Sequence, residues 1–225
     1  MAIEIVAVRH AGIDNAFFID TGREEWLATL SGRTEDAIEH DGQYYRPWSP
    51  ATSKLSSMIL KGMKVPLHRG SRVLYLGAAS GTTVTHVSDI VTDGTVFAVE
   101  FAPRPARDLL RAVAGRANVV PIVADARSPE KYPPFIGSSD FLFQDVAQPD
   151  QAAIAIANAE KYLVPAGYAA IAIKARSISV AGSVKEIFDQ EIALLSQNLE
   201  IVKAVSLEPL HHDHMAVLCK YSQGE

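Results

Sequence analysis

The chain has 225 residues, 48% hydrophobic and 21% charged, with a formal net charge of -5, enough for one substantial globular domain with its own core. Its single cysteine, Cys219, excludes a disulfide framework and a cysteine-built metal site within one chain. No apolar run reaches the length of a membrane span, and "MAIEIVAVRH" lacks the layout of a signal peptide. Residues 1–45 hold nine acids and three bases, a balance of -6, whereas residues 46–72 hold six bases and no acid. So acidic a chain is a poor stand-alone nucleic-acid binder, although 46–72 leaves room for a local basic surface.

In chain order, "IEIVAVR", "AFFIDT" and "EEWLATL" read as short strands separated by Gly, Asn and Asp turns. They predict a small β-rich N-terminal domain over residues 1–45. "SPATSKLSSMILKG" (49–62) predicts a capped helix within a linking segment, 46–69. In "YYRPW" (44–48), Arg46 could contact RNA, whereas Trp48 reads better as packing the N-terminal unit onto the main sheet. From residue 70 to 225 strand-like and helix-like stretches alternate: "RVLYLG", "TTVTHVSDIV", "GTVFAVE", "PRPARDLLRAVAGR", "NVVPIVAD", "DFLFQD", "DQAAIAIANAEKYL", "GYAAIAIKA" and "SVKEIFDQEIALLSQ". "LEIVKAVSLE" and "HMAVLCKY" close the chain as two successive strands, with Cys219 a small apolar side chain in the second. This alternation predicts an α/β fold, a mostly parallel seven-stranded sheet with helices on both faces and an antiparallel hairpin at one edge.

The stretch "LYLGAASGTTVTHVSDIV" (74–91) joins a strand to a helix through a bare turn, where Gly77 and Gly81 let the backbone approach a ligand. It lacks the G-x-G-x-x-G string of a dinucleotide site, which weakens the case for a nicotinamide cofactor. Three acids end three successive strands. Glu100 is placed to accept ribose hydroxyls, Asp125 to meet an adenine amino group, and Asp145 to close the same crevice. Each alone could be a helix cap; together they point to an adenosine without a pyrophosphate, and S-adenosylmethionine is the natural candidate.

These strings closely resemble fibrillarin, the box C/D RNA-guided 2'-O-methyltransferase, as do "YRPWSPATSKLSSMILKG", "FAVEFAPRPARDLL", "NVVPIVADARSPEKY", "DVAQPDQAAIAIANAEKYL", "IAIKARSIS" and "LEPLHHDHMAV". The resemblance runs from about Tyr44 to the end of the chain and, more loosely, over the β-rich N-terminus. It is nearer the archaeal form, because no Gly/Arg-rich tail is present. It implies a Rossmann-like S-adenosylmethionine-dependent methyltransferase fold for residues 70–225. It also implies cofactor contacts at Gly77, Ala79, Thr82, Thr83, Glu100 and Phe101, and at Asp125, Ala126, Asp145, Val146, Ala147 and Gln148. The implied catalytic set is Lys54, Asp145, Lys174 and His214, with no metal. In that set Asp145 positions Lys174 and the methyl group, and Lys54 steers substrate phosphate or ribose.

The resemblance further implies a Nop-domain scaffold protein, a kink-turn-binding ribosomal-type protein, a box C/D guide RNA and target rRNA or tRNA as partners. The implied location is cytoplasmic in an archaeal-type cell. Ser56 departs from the family's usual alanine and, being small, should matter little. Lys174 leaves a buried strand, a setting in which an amine can serve as base or hydroxyl-orienting group. His214 is read either as a proton-transfer aid or as a satisfied edge-strand histidine, and Arg176 lies where an RNA phosphate could pass. The string "HHDH" (211–214) invites a zinc reading, which the opposite facing of adjacent strand residues disfavours. Protein glutamine methylation and a mainly structural ribonucleoprotein role are the alternatives.

Overall fold

The strand-and-turn stretches at the N-terminus close into an antiparallel sheet. The computed structural model describes residues 4–32, 34 and 36–222. Residues 1–3 and 223–225, part of the expected units 1–45 and 70–225, therefore lie outside it, as does the start of the expected first strand at Ile3. The sheet contains β1 (Ala7–His10), β2 (Ala16–Asp20), β3 (Glu25–Ser31), β4 (Ile38–His40) and β5 (Gln43–Pro47), in the order β1-β2-β3-β5-β4. β4 and β5 extend the three-strand expectation. Their hairpin turns on Asp41 and Gly42, at φ of 49° and 75°, between the paired His40 and Gln43.

α1 (Lys54–Leu60) is shorter than the expected 49–62 helix. Pro50 and the turns around it hold the chain non-helical until Ser53, whose hydroxyl accepts the Ser56 N–H at 3.2 Å. Ser56 is buried, and its own hydroxyl donates to the Trp48 carbonyl at 2.8 Å, so the departure from alanine has gained a hydrogen bond.

The larger sheet is built from β6 (Arg72–Leu76), β7 (Thr95–Glu100), β8 (Val119–Val123), β9 (Ser139–Gln144), β10 (Leu163–Lys174), β11 (Glu200–Ser206) and β12 (His214–Lys220), in the order β11-β12-β10-β9-β6-β7-β8. Within that order the strands from β10 to β8 are mutually parallel, and β12 is antiparallel to both neighbours. The final two strands do pair antiparallel, but β12 inserts between β10 and β11, so His214 lies on an inner strand and not on an edge. Cys219 is fully buried there.

Side chains alternate between the two faces. Val73 and Tyr75 join α1, α2 (Thr82–Ile90) and α3 (Pro103–Ala112) in one core, while Leu74 and Leu76 join α4 (Gln151–Tyr162) and α6 (Val184–Leu195) in another. Short α5 (Ala175–Ile178) follows β10. Among the described residues no helix is long and apolar enough to cross a membrane.

The N-terminal sheet shares the first core through Ala16 and Leu27. Trp48, 1% exposed, lies in the core that the N-terminal sheet shares with the larger sheet, and its ring stacks on His86 of α2 at 5.0 Å. Arg46 does not face outward for RNA. It is buried and donates through Nε to Asp89 at 3.1 Å, while Arg116 Nη1 reaches the other oxygen of Asp89 at 2.6 Å. Two guanidiniums on one buried carboxylate form a lock between the N-terminal sheet and α2 that is strongly destabilised if one partner is removed.

Candidate active site

The order of the larger sheet reverses at β6: the chain runs outward through β7 and β8, then returns to the other side of β6 as β9. Such a reversal leaves a crevice beyond the carboxyl ends of the strands. Gly77 follows β6 and Asp145 follows β9, and the two backbones nearly touch there. A Cβ on Gly77 would sit 2.3 Å from the Asp145 carbonyl oxygen, and its φ of +79° is one that L side chains rarely adopt.

The next turn brings the Ala79 N–H to Glu100 Oε2 at 2.9 Å, while Glu100 Oε1 accepts the Ala102 N–H at 2.8 Å. Glu100 is expected to face ribose hydroxyls; both of its oxygens also fasten backbone, which fixes the carboxylate at the end of β7. A carboxylate has about four lone-pair sites, so acceptor capacity remains.

A cavity of about 340 Å³ opens at this point, within the ~300–1,000 Å³ range of small-molecule sites. Its lining runs along the strand ends, from Asp145, Val146, Ala147 and Gln148 after β9, past Gly77 and Ala79 after β6 and Glu100 and Phe101 at β7, to Asp125 and Ala126 after β8. Val99 and Ala124 complete the wall. Thr82 and Thr83, also expected to contact cofactor, are not among the lining residues. Thr82 is exposed at the start of α2. Thr83 is buried and donates to Ser53 Oγ at 3.0 Å, tying α2 to the cap of α1.

At the far end Asp125 is forked by Arg127, with Nη2 to Oδ2 at 2.6 Å. Hydrogen bonding from Arg127, against a smaller opposing cost of burial, holds the Asp125 carboxyl below its usual range. Two ionised or hydrogen-bonded carboxylates at strand ends, between apolar walls, suit hydroxyl and amino donors flanking a flat heterocycle. Gly77 and the turn after it provide close backbone approach. The donor set therefore fits an adenosine-bearing ligand without a pyrophosphate.

The expected catalytic side chains gather along the same strand ends. Lys54, the first residue of α1, donates from Nζ to Asp145 Oδ2 at 2.8 Å, the two side chains being 21% and 28% exposed. Asp145 is thus paired with Lys54, and no contact makes it the partner of Lys174. Lys174 ends β10 directly opposite His214 of β12.

Gln151, which the sequence did not single out, clamps Lys174 at both backbone groups. Its Oε1 accepts the Lys174 N–H at 2.8 Å, and its Nε2 donates to the Lys174 carbonyl at 3.2 Å and to the Gln148 carbonyl at 2.8 Å. His214 is buried, with Nδ1 2.6 Å from the His212 carbonyl. A carbonyl can only accept, so Nδ1 carries the proton and Nε2 keeps its lone pair. Burial, opposed in part by that hydrogen bond, pushes the imidazole pKa below its usual value.

Within the "HHDH" string His211 stays beside His214, the ring centroids 5.6 Å apart, while His212 and Asp213 turn to other partners, and among the described residues no group of three or more His, Cys, Asp or Glu could hold a metal. His212 turns to Glu208 at 2.9 Å, and His211 approaches Ser57 Oγ at 3.1 Å. Arg176, expected on an RNA path, pairs with Asp213 at 3.2 Å.

Comparison with known proteins identifies the family. A model of the fibrillarin family matches residues 8–223. The chain is 50% identical over 190 residues to a Methanosarcina mazei protein named fibrillarin-like rRNA/tRNA 2'-O-methyltransferase, covering 83% of this chain and 84% of that one. It resembles the crystal structure of Aeropyrum pernix fibrillarin with natively bound S-adenosyl-L-methionine at a TM-score of 0.87 and 40% identity, covering 97% of this chain and 100% of that one. A crystal structure of a fibrillarin/Nop5p complex matches at a TM-score of 0.85 and 39% identity, covering 93% and 98%. The chain belongs to the fibrillarin family.

Proposed function

We propose that this chain is an S-adenosylmethionine-dependent RNA 2'-O-methyltransferase, the catalytic subunit of a guide-RNA particle acting on rRNA and tRNA. One observation carries the reading: Asp145 belongs both to the wall of the adenosine-shaped cavity and to the Lys54 ion pair, so the ligand site and the candidate catalytic groups share a carboxylate.

In this reading Glu100 holds the ribose end of the cofactor, Asp125 and the Ala126 backbone meet the adenine, and Gly77, Ala79, Val146, Ala147 and Gln148 shape the channel between. Phe101, half exposed at the rim, covers the base. Bound there, S-adenosylmethionine supplies an electrophilic methyl carbon to an incoming 2'-hydroxyl. Lys54 presents ammonium donors to the substrate ribose or its phosphate, and Asp145 anchors that ammonium. Lys174 orients the hydroxyl, and the free Nε2 of His214 accepts its proton. Alignment and proton removal are the two tasks of such a displacement, and together these groups cover both. Thr82 and Thr83 open α2 just beyond the glycine turn, where the helix start can present backbone N–H groups to the cofactor.

The chain is acidic overall, and phosphate binding draws its affinity from clustered cations. RNA placement therefore falls to partners: a Nop-domain scaffold protein, a kink-turn-binding ribosomal-type protein and the box C/D guide RNA. The match to a fibrillarin/Nop5p complex supports the first of these.

Tritiated methyl transfer in the reconstituted particle, with a matched guide and short target RNA, tests the reading. Label is expected at the single guided ribose and is expected to vanish without the partner proteins. Label on protein glutamine in place of RNA would overturn the choice of substrate. Cofactor binding without transfer to any acceptor would leave a structural role.

A further inference from the structure

β11 and the loop joining it to β12 hold α1 and the residues just after it at several points. Lys203 Nζ donates to the Gly62 carbonyl at 2.8 Å, Lys61 Nζ donates to the Glu208 carbonyl, and the His211 ring meets Ser57. The last contact has a defined direction. The Ser57 hydroxyl has one proton, which it donates to the Pro50 carbonyl at 2.9 Å. Its contact with His211 Nε2 must then run from ring to hydroxyl, which fixes His211 as the tautomer protonated at Nε2.

Ser57 lies three residues after Lys54, one turn along the same face of α1. The helix has only seven residues and follows irregular chain, so little within it fixes the direction of its first side chain. The Ser53–Thr83 bond holds its start, and His211 holds the following turn. The His211 ring lies 5.6 Å from that of His214. Burial first, and then the neighbouring Lys54 ammonium, push the His211 pKa below its usual value, against hydrogen bonds to the Pro50 and Ser53 backbone and the charge of Asp145.

We infer that His211 is a positioning residue, which acts through Ser57 to hold Lys54 in line with Asp145. The inference rests on the methyl-transfer reading for its consequence in catalysis, but its geometry is a property of the free chain. The residue acts by placement, through its contact with Ser57.

The test compares wild type with His211→Leu, which keeps bulk and loses the donor, and with His211→Gln, which keeps an N–H at similar reach. The first readout is the Lys54 ammonium resonance in NMR spectra of the free protein, with the amide spectrum reporting that each variant is folded. Wild type and His211→Gln are expected to show a Lys54 ammonium protected from solvent exchange, and His211→Leu to lose that protection.

The second readout is guided methylation at saturating cofactor. Displacement of a reacting group by about 1 Å can cost up to ~100-fold, and a partly retained geometry predicts about tenfold in kcat for His211→Leu. KM for RNA is expected to change less than about twofold, and His211→Gln to recover most of the rate. An unchanged Lys54 resonance in His211→Leu overturns the inference, as does a Gln variant no better than Leu. If wild-type particles label no RNA, the methyl-transfer reading falls, while the free-protein resonance still decides the role of His211.

Discussion

Lys54 and Asp145 lie 91 residues apart in sequence and meet at 2.8 Å, one on the helix that follows the N-terminal sheet and the other just past β9. The pair joins α1 to the cavity that Asp145 lines. Lys54→Met is expected to reduce guided methylation by ~10²–10³-fold, the scale of removing a preorganised charge from a reacting centre. Cofactor affinity is expected to stay within about threefold, because Lys54 does not line the cavity. Single-turnover rates and calorimetric titration of S-adenosylmethionine check the two halves separately. A parallel collapse of cofactor binding would contradict this division of labour.

Gly77→Ala tests the backbone contact at the switch point. The added methyl would meet the Asp145 carbonyl at 2.3 Å from a left-handed residue, and neither backbone is a flexible end. A loss of about 2–4 kcal/mol is expected from strain and displacement. Urea unfolding measures the loss, and a variant as stable as wild type would mean the two strands can separate freely.

Glu100→Gln replaces one of the two acceptor oxygens with an amide NH2, which must face either the Ala79 N–H, the Ala102 N–H or the ligand. Cofactor affinity is expected to fall about tenfold or more, since a hydrogen bond to a charged acceptor contributes about 1.5–3 kcal/mol. Equilibrium dialysis with labelled cofactor gives the number directly.

His86 gives the fold a dependence on pH that is unrelated to catalysis. Thr29 Oγ1 spends its proton on Asp89, so His86 Nδ1 donates to Thr29 at 2.9 Å and the ring is neutral. Burial, then the charges of Arg46 and Arg116, lower its pKa from 6.5 to about 2. A folded-state pKa below the unfolded value means that the unfolded chain takes up a proton first. The contribution is therefore whole above about pH 6.5 and shrinks as pH falls toward about 2. By pH 5 the loss is about 2 kcal/mol. His86→Asn, which keeps a donor and cannot titrate, is expected to be less stable than wild type at pH 7.5 and to narrow the gap at pH 5. A gap of equal size at both pH values would refute the linkage.

Much of the fold and the site was legible in the sequence because parallel strands and their helices carry distinct periods, and because Gly77, Glu100, Asp125 and Asp145 each punctuate a strand end. Other features depend on residues far apart in the chain. Arg46 reads as an available cation until Asp89 is placed beside it, and the bond of Thr83 to Ser53 ties two helices 30 residues apart in sequence. The contact of His211 with Ser57 spans 154 residues and has no local signature. One signal was present and overlooked: Asp41-Gly42 between "IEH" and "QYY" is a two-residue hairpin turn, and it specifies β4 and β5. The insertion of β12 follows from no local pattern, since two strands in a row fit a plain edge hairpin equally well.

That insertion orders events during synthesis. β10 leaves the ribosome long before β12, and until β12 arrives the edge of β10 that faces it has unpaired backbone groups. β11 cannot fill the gap by itself in the same register, because it runs parallel to β10 where the native neighbour runs antiparallel. His214 travels on the strand that closes the sheet, and it stands opposite Lys174 when it arrives. The residues that line the cavity, from Gly77 to Gln148, all precede β10 in the chain, so the Lys174–His214 pairing is the last part of this region to be synthesised.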